Sequence, residues 1–235
     1  MKALGMYIFG GSQTIGHLLE GWEIDTVLEM TETMLSQNSY HFARNYPNIQ
    51  IKLPSEYEND KEYYKMLKEQ KYDLVYTNPP CSGLSQINRK ASVDNQTNKH
   101  IYNTIQNILK IEPKTFLIEN APTLSTTGLP ILKQIAKKIN HKYYMLVIND
   151  LAGNHNVAMS RRRTLVVGFH KEYFNQIPKR NIIKESKTVK DILSTVDSNV
   201  NKEFESRVDQ ELFKYYSEVP NNCSLFGALT ASEVD

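Results

Sequence analysis

A cysteine in a stiff, polar turn is the first candidate for chemistry in this sequence. Cys81 directly follows Asn78, Pro79 and Pro80. Two consecutive prolines restrict the backbone and remove two N–H donors, so they hold the thiol on a rigid turn. Most buried cysteines are inert small hydrophobes, but the polar neighbours of Cys81 predict exposure. We interpret Cys81 as exposed at the ligand-binding edge and the other cysteine, Cys223, as structural.

A carboxylate follows a later apolar run. The segment 116–118 leads directly into Glu119 and Asn120. A carboxyl at the end of a buried strand loses part of its hydration, which favours its protonated form. Such a group can donate a proton near neutral pH. The alternative interpretation is an ordinary acid that caps the next helix.

Three consecutive arginines precede the last strong apolar run. Alternation along a strand would place Arg161 and Arg163 on one face and Arg162 on the other. Two guanidinium groups on one face can hold a phosphate or a carbonyl oxygen. A solvated basic run is the alternative interpretation.

A glycine turn and an acidic residue point to a cofactor. Phe9, Gly10 and Gly11 form the turn after the first apolar run, and Glu29 ends the second run. An acid about 20 residues after such a turn accepts hydrogen bonds from ribose hydroxyls. Together the two features favour a nucleoside-bearing cofactor. The alternative for the glycines is turn geometry alone, and the alternative for Glu29 is a solvated acid at the end of a strand.

The elements that must position these residues alternate along the chain. Short apolar or β-branched runs predict seven strands, and several gaps between them have helical periodicity. The strands are predicted at Met6–Phe9, Ile24–Leu28, Asn48–Ile51, Tyr72–Thr77, Thr115–Ile118, Tyr143–Ile148 and Thr164–Phe169. This alternation predicts an α/β fold, a mostly parallel sheet with helices on both faces, which binds ligands at the carboxyl ends of its strands.

Five helices are predicted along the chain. Apolar stripes predict helices around Ile101–Leu109 and Leu132–Ile139, and Ser55 is predicted to cap a helix that runs through Leu67. A short helix is predicted to start within Thr188–Leu193. An amphipathic helix is predicted over Phe204–Tyr216, which we interpret as packing on the main domain rather than docking a partner.

Composition narrows the class of protein. The 235 residues suffice for one domain with a sizeable core. Two cysteines exclude a disulfide scaffold and fit a reducing compartment. We see neither a signal peptide nor a run of about 18 apolar residues, and we expect a cytoplasmic protein without a membrane span. Residues 151–190 contain nine basic and two acidic side chains, whereas residues 191–235 contain three basic and nine acidic side chains.

The order of these motifs resembles the catalytic domain of the cytosine-5 DNA methyltransferases over roughly residues 3–193. The segments that carry the resemblance are Pro80-Cys81, 116–120 and 161–168. It implies a Rossmann-like, S-adenosylmethionine-dependent methyltransferase fold and DNA as the partner. It also implies methyl transfer to carbon 5 of cytosine, as in restriction-modification systems.

The resemblance also implies a role for each site residue. Cys81 would add to carbon 6 of cytosine, and Glu119 would donate to ring nitrogen 3. Arg163, with Arg161, would hold the carbonyl oxygen and a phosphate, and Asn120 would fix the loop that positions Glu119. The implied residues of the cofactor site are Phe9, Gly10, Gly11, Glu29, Asn78 and Pro80. We expect no metal.

Departures from the family pattern keep other functions open. We predict a catalytic domain over residues 1–193 and an acidic helical segment over 194–235, which is too short for the family's target-recognition domain. A second subunit that supplies recognition, a truncated recognition region or a low sequence preference would each explain this length, and we favour a separate or absent recognition module. Ser82 and Met159 replace family glutamines, which favours a non-catalytic subunit as one alternative. The Asn78-Pro79-Pro80 motif favours an amino methyltransferase as another, and RNA cytosine or a free nucleotide remains a third substrate class.

Overall fold

Seven strands form one sheet in this computed structural model, which describes residues 1–32, 42–85, 88–155, 159, 161–179 and 188. The strands are β1 (Lys2–Met6), β2 (Glu23–Leu28), β3 (Gln50–Lys52), β4 (Leu74–Thr77), β5 (Thr115–Asn120), β6 (Tyr143–Leu151) and β7 (Arg162–His170). Their order across the sheet is β3-β2-β1-β4-β5-β7-β6. Neighbours from β3 to β5 run parallel, whereas β7 lies antiparallel to β5. This arrangement confirms the predicted fold class.

The helices lie between the strands in sequence, as the periodicity predicts. They are α1 (Ser12–Leu19), α2 (Pro54–Tyr57), α3 (Lys61–Glu69), α4 (Lys99–Ile111) and α5 (Leu129–Ile139), and residues 42–45 form a further helical turn. No helix among the described residues is both long and apolar enough to cross a membrane.

Two apolar clusters form the core because alternate residues of a strand point to opposite faces. Leu4 and Met6 of β1 belong to the larger cluster, which also contains the buried apolar residues of α3, α4 and α5. Ala3 belongs to the smaller cluster, which packs against residues of α1. The sheet is therefore covered on both faces, so its ligand-binding positions lie at the strand ends.

The backbone contacts divide the chain into two compact units. The first is Met1–Asn149 with Thr164–Lys179, and the second is Asp150–Arg163 with Arg180–Asp235. The predicted boundary at residues 193 and 194 and the helix predicted over Phe204–Tyr216 lie outside the described residues. So does the helix predicted within Thr188–Leu193, apart from Thr188 itself.

Each predicted strand overlaps an observed strand, but the first prediction is wrong in position. The strand predicted at Met6–Phe9 is observed at Lys2–Met6. Tyr7 and Phe9 adopt left-handed backbone angles, with φ of 62° and 44°, which end the extended conformation. The apolar run continues beyond the strand because Tyr7 and Ile8 are buried in the turn itself.

The predicted cap at Ser55 is also wrong. Ser55 lies inside the one-turn helix α2, which starts at Pro54. The next helix, α3, is capped by Asp60, whose carboxylate accepts a hydrogen bond from the backbone N–H of Tyr63 at 2.9 Å. Proline is favoured in the first turn of a helix, so Pro54 starts a separate turn there.

The turn between β1 and α1 depends on Gly11. Its φ is +77°, and an added Cβ would lie 2.0 Å from a ring carbon of the buried Phe42. Gly21 has the same φ of +77°, but no atom lies within 4 Å of the position of its Cβ. The two glycines therefore separate backbone strain from steric overlap.

Gly11→Ala is expected to destabilise the protein by at least about 3 kcal/mol, because left-handed strain adds to overpacking. Gly21→Ala should cost about 1 kcal/mol, because it introduces the strain alone. Urea unfolding of both variants measures the difference. Equal losses of unfolding free energy would contradict the close contact between Gly11 and Phe42.

Candidate active site

The Cys81 turn leaves the carboxyl end of β4 in the first unit. Residues 78–80 link Thr77 to Cys81, whose side chain is exposed. The backbone N–H of Leu84 donates to the carbonyl of Cys81 at 2.9 Å, which closes a tight turn after the thiol. The predicted exposure of Cys81 is confirmed, so a substrate atom can approach the sulfur.

Adjacent parallel strands bring the glutamate motif to the same edge of the sheet. Thr77 of β4 pairs with Ile118 of β5, and Glu119 and Asn120 follow Ile118 directly. Both residues are the last of β5 itself, which extends further than the sequence predicts, because β7 pairs with this end of the strand. Glu119 is half-buried there.

Asn120 joins the end of β5 to the turn that carries the thiol. Its buried amide nitrogen donates to the carbonyl of Pro79 at 3.0 Å. Its side-chain oxygen accepts from the backbone N–H of Ala121 at 2.9 Å, so both ends of the amide are satisfied. This amide therefore holds two neighbouring loops in register, and the proline carbonyl cannot move without leaving a buried amide unpaired.

Asn98 braces the chain beyond Cys81 and was missed by the sequence analysis. Its buried amide donates to the carbonyls of Ser92 and Val93 at 2.8 and 2.9 Å. The backbone N–H of Ser92 in turn donates to the carbonyl of Gly83 at 3.0 Å. An added Cβ at Gly83 would lie 2.3 Å from the Asn98 side-chain oxygen, so only glycine fits this approach without a shift. No motif in the sequence predicts this contact between Gly83 and Asn98.

Glu29 is fully buried at the carboxyl end of β2. One carboxylate oxygen, Oε1, accepts a hydrogen bond from the backbone N–H of Ile8 at 2.9 Å. The other oxygen, Oε2, is buried without a hydrogen-bond partner. Burial raises the pKa of Glu29, and the backbone N–H groups of Ile8 and Met30 oppose that rise. The structure thus buries one unpaired carboxylate oxygen at a strand end.

Other buried polar atoms at this edge also lack partners. Among the described residues, the buried side-chain atoms without a hydrogen bond are Gln13 Oε1, Glu29 Oε2, Thr77 Oγ1, Asn78 Oδ1 and Asn98 Oδ1. The first four belong to the start of α1 and to the ends of β2 and β4. Because buried polar atoms are almost always paired in native proteins, this grouping fits a polar ligand that supplies the missing partners. The sequence analysis identified Glu29 and Asn78 but missed Gln13 and Thr77.

The glycine turn after β1 completes this edge. Tyr7, Phe9 and Gly11 have positive φ at alternate positions, of 62°, 44° and 77°. Phe9 is partly exposed, and its ring stacks on that of Tyr7 with centroids 6.0 Å apart. Non-glycine residues in this conformation are strained, and such strain tends to occur at ligand sites.

The predicted arginines belong to the second unit. Arg161 is exposed and precedes β7, while Arg162 and Arg163 are its first two residues. The guanidinium of Arg163 donates to the carbonyl of Arg162 at 2.8 Å. The backbone N–H of Ala152 donates to the carbonyl of Arg161 at 2.9 Å, which links the residue after β6 to the residue before β7. The shared face of Arg161 and Arg163 stays a prediction.

The order and directions of the strands define the class of fold. They are those of the Rossmann-like methyltransferase fold. The profile of the C-5 cytosine-specific DNA methylase family matches residues 10–224, which is most of the chain. The chain belongs to that family.

Individual relatives agree with this assignment. The chain is 28% identical over 176 residues to the type II methyltransferase M.FnuDI of Fusobacterium nucleatum, which covers 73% of this chain and 48% of the relative. It is 23% identical over 203 residues to the type II methyltransferase M.NgoPII of Neisseria gonorrhoeae, covering 82% and 56%. The chain thus spans about half the length of these relatives.

The solved structure of Entamoeba histolytica methyltransferase EhMeth shows the same fold. It superposes with a TM-score of 0.60 at 15% identity and covers 86% of this chain and 61% of that one.

Proposed function

We propose that the protein transfers a methyl group from S-adenosylmethionine to carbon 5 of cytosine in DNA, through a transient bond to Cys81. The observation that carries this proposal is the exposed thiol at the end of β4, held by the Asn120–Pro79 hydrogen bond beside the strand that presents Glu119. A nucleophile and a carboxyl on neighbouring parallel strands are what addition to a pyrimidine ring requires.

Carbon 5 of cytosine is a poor nucleophile until carbon 6 is attacked. The Cys81 thiolate supplies an electron pair to form the sulfur–carbon 6 bond, and Glu119 donates a proton to ring nitrogen 3. The adduct is then an enamine whose carbon 5 is nucleophilic. Carbon 5 would take the methyl group as S-adenosylhomocysteine leaves, and ring nitrogen 3 would return its proton to Glu119. Loss of the carbon 5 proton to a base then restores the ring double bond and expels the thiolate. In a duplex, the target base must first leave the stack.

The cofactor would bind at the unpaired polar edge. Glu29 Oε2 would accept hydrogen bonds from the ribose hydroxyls, and the left-handed turn with Phe9, Gly10 and Gly11 would let the backbone approach the ligand. Asn78 and Pro80 would contact it from the end of β4. The cofactor supplies an activated methyl group, and the unpaired atoms of this edge fit such a polar ligand.

Basic side chains support DNA as the partner. Arg163, with Arg161, would hold the cytosine carbonyl oxygen and a DNA phosphate. Residues 151–190 carry the excess of basic side chains that a polyanion would contact. Recognition of the target sequence by a second polypeptide stays a prediction.

Product analysis tests this proposal. The protein is expressed in cells that lack cytosine methylation, and the genomic DNA is hydrolysed to nucleosides for mass spectrometry. The expected product is 5-methyldeoxycytidine, which should be absent when Cys81→Ser is expressed. Cells that express the wild-type chain and contain no 5-methyldeoxycytidine would overturn the proposal for this chain.

A transfer to an exocyclic amine is the second candidate. Asn78 begins an Asn-Pro-Pro sequence, and its side-chain oxygen is buried without a partner, so it can accept a hydrogen bond from an amine. This reaction needs no cysteine. The same mass spectra would show N4-methyldeoxycytidine or N6-methyldeoxyadenosine, and these products would persist in Cys81→Ser.

Glu29→Gln is expected to weaken cofactor binding about 10- to 100-fold, because a neutral amide replaces the charged acceptor of the ribose hydroxyls. Isothermal titration with S-adenosylhomocysteine measures the loss. Binding to the wild-type protein should also weaken as the pH falls through the native pKa of Glu29, which burial places above the ordinary carboxyl range. Wild-type binding that is independent of pH across that range would contradict this role.

The same substitution is expected to stabilise the ligand-free protein at neutral pH. Because the pKa of Glu29 is raised in the native state, its contribution to stability is fully present below the unfolded-state pKa and is lost as the pH rises through the native value. Glu29→Gln removes that loss and should raise Tm at pH 7. At acidic pH the two proteins should melt together, and a lower Tm for the variant at both pH values would contradict the account.

A further inference from the structure

The one-turn helix α2 places a tyrosine next to the end of β2. Tyr57 is 2% exposed, and its hydroxyl donates a hydrogen bond to the backbone carbonyl of Glu29. The turn is closed locally, since Pro54 begins it and the Glu56 carboxylate accepts from the backbone N–H of Leu53 at 2.7 Å. The phenol of Tyr57 therefore lies on a short helix whose backbone is restrained by Pro54 and by this hydrogen bond.

The residue after Glu29 is held from a second direction. The side-chain nitrogen of the buried Asn107 on α4 lies 3.3 Å from the sulfur of Met30, a weak acceptor. The Asn107 oxygen accepts from the hydroxyl of Tyr64 at 2.8 Å. The Tyr57 hydroxyl also lies 3.2 Å from the same sulfur. Elements far apart in sequence thus converge on the two residues at the end of β2.

These contacts bear on the carboxylate oxygen of Glu29 that has no hydrogen-bond partner. The Ile8 N–H fixes one oxygen of Glu29 at 2.9 Å and leaves Oε2 without a partner. The direction of that oxygen depends on where the Glu29 backbone sits, and the Tyr57 hydroxyl is bonded to that backbone. A site held in place by supporting hydrogen bonds loses less entropy when a ligand binds.

We propose that Tyr57 is a positioning residue for cofactor binding, which holds the Glu29 peptide so that Oε2 meets the ribose hydroxyls. This inference rests on the proposed function, because it takes Glu29 as a ligand of the cofactor. Tyr57 itself contacts the end of β2 and acts on the ligand only through Glu29.

Tyr57→Phe tests the inference against Tyr143→Phe as a matched control. Tyr143 is also 2% exposed, and its hydroxyl also donates to a backbone carbonyl, that of Pro113, at 2.9 Å. Pro113 precedes β5, so this bond lies at the amino end of the strand and not at the cofactor edge. Both variants should lose similar resistance to urea. Tyr57→Phe alone should raise the dissociation constant of S-adenosylhomocysteine, by about five- to tenfold, the effect of one lost hydrogen bond.

A pair of ligands separates positioning of Glu29 from general damage to the site. The wild-type protein and Tyr143→Phe should bind S-adenosylhomocysteine more tightly than its 2′,3′-dideoxy analogue. In Tyr57→Phe the preference for the hydroxyls should shrink by the same five- to tenfold, because the analogue never used the carboxylate. In turnover, the KM for the cofactor should rise while kcat stays unchanged.

The outcomes distinguish the role of Tyr57 from the proposed function itself. If the wild-type protein binds the cofactor, but Tyr57→Phe has the same affinity and the same ligand preference, the role of Tyr57 is refuted and the proposed function stands. An equal loss of affinity in Tyr143→Phe would also refute it. Failure of the wild-type protein to bind S-adenosylhomocysteine would refute the proposed cofactor and the role of Tyr57 together.

Discussion

Cys81→Ser is expected to reduce methyl transfer to cytosine by at least about 10³-fold, because an alcohol is a far weaker nucleophile than a thiol at neutral pH. The exposed side chain at the end of β4 has room for the hydroxyl, so folding should be unaffected. Binding of S-adenosylhomocysteine should remain within twofold of the wild type. Incorporation of a labelled methyl group into DNA measures the rate, and titration calorimetry measures the binding.

Cys223→Ser is the matched control, since the chain contains two cysteines and Cys223 follows none of the predicted strands. It should transfer label at the wild-type rate. If Cys81→Ser retained more than a tenth of the activity, the thiol would not form the bond that drives the reaction. A common loss in both serine variants would point to a general requirement for thiols and not to attack by Cys81.

Glu119→Gln is expected to lower transfer by about 10²- to 10⁴-fold, the usual contribution of a general acid. The amide keeps the size of the side chain but cannot supply the proton that ring nitrogen 3 needs when carbon 6 is attacked. Because Glu119 is half-buried at the end of β5, opposite Leu165 of β7, the substitution should leave the strand intact. Single-turnover methylation with pre-bound DNA measures the chemical step directly.

Glu112→Gln provides the comparison at the other end of the same strand. Glu112 forms ion pairs with Lys68 and Lys142 just before β5 begins. Its amide variant should lose part of these ion pairs and some stability, but it should methylate at the wild-type rate. A Glu119→Gln rate within threefold of the wild type would exclude Glu119 as the proton donor.

The fold was predictable because the alternation of strands and helices is a local property of the sequence. Apolar stripes such as Ile101–Leu109 are found on α4, and the motif residues reach the carboxyl ends of β4 and β5 as parallel topology requires. The first strand failed locally as well. Tyr7 and Ile8 extend the apolar run, so the pattern predicts that the strand includes them. The pattern contains no information on the positive φ of Tyr7 and Phe9, which ends the strand.

The supports of the candidate site were not predictable because they join residues that are distant in sequence. Asn120 reaches the carbonyl of Pro79 across 41 positions, and Tyr57 reaches that of Glu29 across 28. Neither bond has a motif, because asparagine and tyrosine are common and their partners are backbone atoms. Thr77 likewise reads as an ordinary strand residue, and only the structure reveals its unpaired buried hydroxyl.

A covalent trap tests for the bond between Cys81 and cytosine. DNA that contains 5-fluorodeoxycytidine is incubated with the protein and S-adenosylmethionine, because fluorine at carbon 5 blocks the elimination that would release the thiolate. We expect a protein–DNA complex that survives denaturation, with the nucleotide mapped by mass spectrometry to the peptide that contains Cys81. A preparation that methylates ordinary DNA but forms no such complex, or forms it equally in Cys81→Ser, would contradict the account.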